Sequence, residues 1–270
     1  MPVAGDTFGS TLRWWRTTRR YSQMQLANEA EVSSRHLSFL ETGRAQPSRE
    51  MVVHLARVLD VPLRDCNVLL HSAGFAPAYS HSDLDAPEMD DVRNVLVKII
   101  DAHTPNPAVV VDRRGEVVEA NAAAMQLIGA TVSSDSPALG PSINIHRISL
   151  HPDGVKARSG NWAVVAANIL QRLERELAHR PADDQLEALL TEVLAYPDVA
   201  PLRRNAALPT GADLLLPLHL ETFDSQELRL ISTIATIGAP YDVTLDELRL
   251  ETFFPADDAT GDVLAGWAVA

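Results

Sequence analysis

A single cysteine, Cys66, stands among 270 residues. One thiol excludes an internal disulfide and any zinc site built on several cysteines. Long hydrophobic runs are missing too, and no apolar stretch approaches the roughly 18 residues that a membrane-spanning helix needs. The opening MPVAGDTFGSTLRWW lacks a basic region followed by a continuous apolar one, so it does not read as a signal peptide. These absences lead to the expectation of a cytoplasmic protein with no membrane partner. Enzyme signatures are also lacking: there is no Gly-rich phosphate loop, no H-E-x-x-H and no G-x-S-x-G. Cys66 occupies an apolar helical position, which suits a core residue better than a nucleophile. His151-Pro-Asp153-Gly reads as a turn rather than a metal site, and Asp257-Asp258 as a solvated turn rather than a catalytic pair. A non-enzyme without metal or cofactor is expected, a bound small molecule excepted.

Positive charge is scarce: 23 Lys and Arg against 36 Asp and Glu give a net −13. Taken alone, that argues against nucleic acid, but the distribution is uneven. Residues 1–80 contain nine Arg, no Lys and seven acidic groups, a net +2, whereas the remaining 190 carry 14 basic and 29 acidic groups, a net −15. Phosphate contacts need local cations, not a basic whole chain. The asymmetry fits a DNA-binding head on an acidic body. Length favours two domains, and 46% hydrophobic residues suffice for a core in each.

The first segment reads as five short helices. Phe8, Leu12 and Trp15 share one face; Ser22 opens a capping box with Gln25; Ser33 caps a third helix that Gly43 ends. Pro47-Ser48 starts a fourth and Pro62 a fifth, ending at Gly74. Residues 76–87, rich in Pro, Ser and Asp, read as a linker. An amphipathic helix over 88–102 follows, stopped by Pro105-Asn-Pro107. AVVVD-RRG-EVVEAN then reads as a hairpin turning at 113–115, followed by a short helix, AAAMQLIG. Residues 130–142 read as a loop and 161–196 as two helices broken at Pro181. Three strands, DLLLPLHLETF, ELRLISTIATIG and ELRLETFFP, close the chain. The whole predicts an α+β multidomain chain: a helical bundle over 1–75, the linker, and an antiparallel sheet flanked by helices over 88–270.

Residues 23–42, QMQLANEAEVSSRHLSFLET, have the spacing of two helices crossing through a tight turn. Ala27 is the small residue at the crossing; Leu26, Ala30, Val32, Leu37 and Leu40 face inward. Glu31 stands where such turns usually carry Gly, a departure costing on the order of 1 kcal/mol in a left-handed conformation. The outward positions are Ser33, Ser34, Arg35, His36, Ser38 and Phe39, and a recognition helix reads bases from its N-terminal half. Arg35 suits a bidentate contact to guanine, Gln23 an adenine or a phosphate, and Arg44 a phosphate. Trp14 and Trp15 suit packing rather than intercalation. A solvated five-helix bundle without DNA would carry the same Ser and Arg residues. The longer pattern S-Q-x-Q-L-A, V-S-x-R-x-L-S-x-L-E-x-G-R, P-S and L-A-x-x-L across residues 12–62 resembles the XRE family, relatives of lambda repressor and Cro. That resemblance implies a homodimer on a palindromic double-stranded operator, and a structural ion pair for Glu41.

In the second domain, AVVVDRRGEVVEANAAAMQLIG resembles the opening of a PAS fold. Together with NIHRISLHPDGVKARSGNW, the C-terminal strands and the preceding helices, it is similar to the MmyB-like regulators. The resemblance covers residues 105–260 and implies a PAS-like domain that holds a small apolar ligand, a fatty acid, between sheet and helices. Val109, Val111, Met125, Ile143, Ile145, Trp162, Ile169, Leu216, Leu218, Ile231 and Ile234 are candidate walls, though plain core packing explains the same residues. Asn121, Asn144, His146 and Arg147 are candidate anchors, with a surface ion pair the alternative for Arg147. Two other readings stay open: a C-terminal domain that only dimerises or recruits a protein partner, and an enzyme fused to a DNA-binding module. A sensor needs a cavity with an inward polar group, whereas a dimerisation module needs a filled core and an exposed apolar face.

Overall fold

The computed structural model describes residues 7–84, 86–204, 218–238 and 241–268. The chain forms two compact units: Met1–Ser82 with Ala178–Ala182 and Ala239–Asp246, and Asp83–Leu177 with Asp183–Gly238 and Glu247–Ala270.

In the first unit, α1 (Phe8–Thr18), α2 (Gln23–Glu29), α3 (Ser34–Glu41), α4 (Arg49–Val58) and α5 (Leu63–Ser72) follow one another. The first four start at a hydroxyl cap: Thr7, Ser22, Ser33 and Ser48 accept from the backbone N–H of Ser10, Gln25, His36 and Met51. Each cap satisfies an amide that has no partner within the helix. At Ser22 the exchange is reciprocal, since its own N–H donates to Gln25 Oε1 at 2.8 Å. Left-handed residues make the reversals: Arg20, Glu31 and Asp60, besides Gly43 and Gly74. The apolar stripes converge on one core in which Leu12, Leu26, Leu37, Leu55 and Leu70 are fully buried. Trp15 joins it at 1% exposure, with Trp14 packed edge-on against it at 5.0 Å. Cys66 lies in the same core, where burial pushes its thiol up to about 11 and keeps it protonated.

The linker is shorter than residues 76–87. Asn67 Oδ1 accepts from the N–H groups of Ala78 and Tyr79, and both side chains pack on the helical core. The unit therefore runs on to Ser82.

The second unit starts with a 3-10 turn and α6 (Asp90–Asp101), then β1 (Ala108–Val111), β2 (Val117–Ala120) and α7 (Ala122–Thr131). Gly115, at φ +78°, makes the expected hairpin reversal. Next come α8 (Ile145–Leu150), α9 (Trp162–His179), α10 (Asp184–Leu194), β3 (Leu218–Glu221), β4 (Glu227–Thr236), β5 (Arg249–Pro255) and α12 (Asp258–Trp267), while α11 (Val243–Glu247), between β4 and β5 in the chain, falls almost wholly in the first unit. The strands form one antiparallel sheet in the order β2-β1-β5-β4-β3. The expected strand over 213–223 is described only from Leu218, and Leu216 lies outside the described residues.

Three helices depart from the sequence expectation. α8 and α11 have six and five residues, too few to repeat an apolar period. α12 was expected as a turn after Asp257; instead Asp257 caps a helix, accepting from Thr260 N–H at 2.8 Å. Gly261 and Gly266 inside it dilute the helical signal.

Candidate functional site

The helix-turn-helix is α2, a four-residue reversal and α3. Its turn depends on Glu31, which takes φ +52° where glycine would be unstrained. Val32 N–H donates to Ala27 O at 2.8 Å and closes the reversal. Ala27 is fully buried at the crossing, where a larger side chain would separate the helices.

Of the candidate DNA contacts, Ser33, Ser34, Arg35 and Arg44 are exposed, while Gln23, His36, Ser38 and Phe39 are half-buried. Ser33 Oγ already accepts from His36 N–H at 3.1 Å, so its hydroxyl proton is what it has left to offer. The Arg35 guanidinium rests 5.3 Å from the Phe39 ring centroid, which orders it on the helix surface. Behind this surface, Arg16 Nε donates to Glu41 Oε1 at 2.6 Å and Nη2 to Oε2 at 3.1 Å, with Glu41 only 2% exposed. Gln23 Nε2 donates to the same carboxylate at 2.8 Å, which fixes the start of α2 to the end of α3. Gly9 is a feature the sequence reading missed. A Cβ there would lie 2.5 Å from Glu41 O and 2.7 Å from Leu40 O, so only glycine lets α1 approach the end of α3.

In the second unit a cavity of about 390 Å³ lies between one face of the sheet and helices α7, α8 and α9. The strands contribute residues two apart, as a single sheet face requires: Leu218 and Leu220, Leu230 and Ser232, Glu251 and Phe253, with Val109 from β1. α9 contributes Trp162, Val165, Ile169, Arg172 and Arg175 at helical spacing. Most of the wall is apolar. Its charged groups are Arg172, Arg175 and Glu251. Glu251 is 6% exposed, and burial raises its carboxyl above the usual range, with Arg172 partly opposing. Arg172 Nη2 stands 3.6 Å from Glu251 Oε2. Arg175 is exposed and has no acidic partner among the described residues.

Among the expected walls, Val109, Ile145, Trp162, Ile169 and Leu218 line this cavity. Val111 and Ile234 line a smaller adjoining cavity of about 90 Å³. Met125 and Ile143 belong to a separate surface groove, and Ile231 lines none of these. The expected anchors are placed differently. Asn121 caps α7, its Oδ1 accepting from Ala108 and Ala124 N–H and its Nδ2 donating to Ile100 O and Asn106 O. Asn144 caps α8, accepting from His146 and Arg147 N–H and donating to Arg114 O and Glu116 Oε1. Both amides are spent within the protein, Asn121 on backbone and Asn144 on backbone and Glu116, and lie outside the cavity wall. Arg147 forks onto Glu192 at 2.9 and 3.1 Å and reaches Glu116 at 3.0 Å, the ion-pair alternative. His146 lines only the smaller cavity, where burial, then the Arg172 charge, lowers its pKa to about 3 and keeps the ring neutral. Trp162 does line the main cavity, its Nε1 donating to Ser149 O at 2.9 Å.

Arg172, Arg175 and Glu251 were absent from the expected anchors. The charges of α9 read as a solvated face, yet Arg172 continues the 162, 165, 169 stripe at helical spacing. Glu251 alternates with Phe253 on β5 in the same way. Among the described residues, no three His, Cys, Asp or Glu cluster to hold a metal ion, and no helix is long and apolar enough to cross a membrane.

A helix-turn-helix unit and a second unit enclosing an apolar cavity define a class: ligand-responsive transcription regulators. Comparison with known families agrees. Residues 7–67 match a helix-turn-helix domain, and residues 92–265 match the MmyB-like transcription regulator ligand binding domain. The chain belongs to the MmyB-like transcription regulator family. Both matched families are regulatory, with DNA as the partner of the first domain and a small molecule as the ligand of the second. A comparison with curated proteins gives no match. Among solved structures, that of an RNA-binding light-oxygen-voltage receptor aligns with 96% of this chain and 62% of its own at 12% identity. The chain thus spans about three fifths of that structure's length, and a TM-score of 0.28 is too low to carry an argument.

Proposed function

We propose that the chain acts in the cytoplasm as a homodimeric, operator-binding regulator whose PAS-like second domain senses a fatty acid or a similar one-acid amphiphile. The carrying observation is the cavity: about 390 Å³, mostly apolar, with Arg175 unmatched at its polar end. That volume lies within the range of small-molecule sites, about 300–1,000 Å³. Arg172 and Glu251 offset one another, so one cation remains for one acidic group. The order β1, turn, β2, Asn121, α7 supports the PAS-like reading.

For the homodimer, α6 supplies the support. Leu96 and Ile100 point into the unit, while Val95 and Ile99 are 53% and 40% exposed. Asp91 and Lys98, both exposed, sit seven residues apart beside that stripe. A two-fold axis pairing α6 with a second copy in antiparallel sense brings each Asp91 to the other chain's Lys98. Such a dimer suits a palindromic operator.

Native mass spectrometry of the purified chain, followed by denaturing extraction, tests the ligand. A fatty acid at near one per chain is expected. In Arg175→Gln, affinity for that acid should fall about ten- to a hundredfold, the worth of a charge-assisted hydrogen bond. An empty dimer that takes up no fatty acid removes the sensor reading and leaves the DNA-binding one.

A further inference from the structure

The two cavities of the second unit share a wall. Ile145, Arg172 and Glu251 line both the apolar cavity and the smaller one beside it. A chain lying along α9 therefore brings its polar end to the Arg172–Glu251 pair, with room of about 90 Å³ beyond. Glu251 is unusual there. It is an ionisable side chain on the inward face of a central strand, 6% exposed, beside Phe253, Leu230, Val109 and Ser232. Arg172 Nη2 stands 3.6 Å from its Oε2, beyond good hydrogen-bond distance, so the donor that reaches it does so weakly. A carboxylate so enclosed is stabilised by whatever donor reaches it. Beside it His146, 6% exposed, leaves Nδ1 without a hydrogen-bond partner among the described residues. The charged groups of the cavity wall thus offer one unmatched cation, Arg175, and one weakly satisfied acceptor, Glu251.

A plain fatty acid satisfies only half of this. Its carboxylate matches Arg175 but brings Glu251 a second negative charge and no donor. We infer that Glu251 is a specificity-determining residue of this cavity, accepting a hydrogen bond from a hydroxyl or amide N–H that the ligand carries beside its acidic group. The preferred ligand is then an acyl chain with a donor next to the acid, as in a β-hydroxy acid or an N-acyl amino acid. This inference rests on the amphiphile reading above. A buried acceptor discriminates against the analogue that lacks its donor, because binding that analogue leaves the acceptor desolvated and unpaired.

Calorimetric titration of the full-length, delipidated chain with dodecanoic acid and with β-hydroxydodecanoic acid tests it. The hydroxy acid is expected to bind about tenfold tighter, the worth of one hydrogen bond to a charged acceptor. In Glu251→Gln that ratio should collapse toward one. Glu251→Asp, whose carboxylate is withdrawn by one methylene, should lower it as well and serves if the Gln variant does not fold. Arg175→Gln should weaken both acids and leave the ratio intact. Equal affinities in the unmodified chain, or a ratio that survives at both Glu251 variants, overturn the inference while the amphiphile reading stands. If neither acid binds, that reading fails and the inference with it.

Discussion

Glu41 ends α3 with its carboxylate inside the protein, shared by Arg16 and Gln23. Removing one partner of such a pair leaves a buried, uncompensated charge, which costs about 3–5 kcal/mol. Glu41→Ala should therefore lower the unfolding free energy of the helical unit, measured by urea titration, by an amount of that size, and Arg16→Ala should do nearly the same. A double variant that costs much less than the sum is the signature of a direct pair. Arg35 is the opposite case, exposed and stacked on Phe39 with little structural duty. Arg35→Ala should leave folding intact and cost roughly 1–3 kcal/mol in operator affinity, with preference relaxed at one base pair. An unchanged preference in a binding-site selection would take Arg35 off the reading surface.

His146 sets a pH dependence. Its pKa falls from 6.5 to about 3 in the folded chain. Between those values the unfolded state binds the proton and the folded state does not, so stability from this group is full above 6.5 and is lost as pH falls. At about pH 5 the loss should reach about 2 kcal/mol. Denaturant midpoints of His146→Leu should fall less between neutral pH and about pH 5 than those of the unmodified chain. Equal slopes would mean that the ring is not held neutral.

At the scale of elements, α6 invites a direct test. Val95→Arg puts a charge in the middle of the exposed stripe without touching Leu96 or Ile100. It should convert a dimer to a monomer in light scattering while the far-ultraviolet dichroism stays unchanged; a persistent dimer would locate the two-fold axis elsewhere. The elements themselves were unequally legible in the sequence. α1 to α5 were legible because each carries a repeated apolar stripe and a stop within about ten residues, with Ser caps or Pro62 marking the starts of α2 to α5. The β1–β2 hairpin was legible because β-branched runs flank a glycine that can turn. α8 and α11 were not, since one or two helical turns carry no period. Asn121 and Asn144 show a subtler limit: a buried Asn near a proposed pocket reads as an anchor until its amide is seen capping a helix.

For the whole molecule, a ligand that regulates operator binding must favour one DNA-binding state over another. The coupling is then reciprocal: whatever factor the ligand imposes on operator affinity, operator must impose on ligand affinity. Operator affinity measured with and without the amphiphile, and amphiphile affinity with and without operator, should yield the same factor. Two discordant factors would show that the ligand acts on something other than the DNA-binding equilibrium.

The amino-acid sequence alone determined the helix-turn-helix, because its signals are local: caps, reversals and stripes a few residues apart. It also determined the two-part organisation and the strand-and-helix content of the second domain. It left the ligand site to the tertiary structure. Val109, Trp162, Arg172, Leu218 and Glu251 lie on three different strands and one helix, and no local pattern tells a residue facing a cavity from one facing a filled core. Only the packing of α9 across the sheet decided that the space between them stays open and that Arg175 and Glu251 border it. The physical reason is range: a helix cap is settled within four residues, whereas a cavity is what remains when distant elements have taken their places.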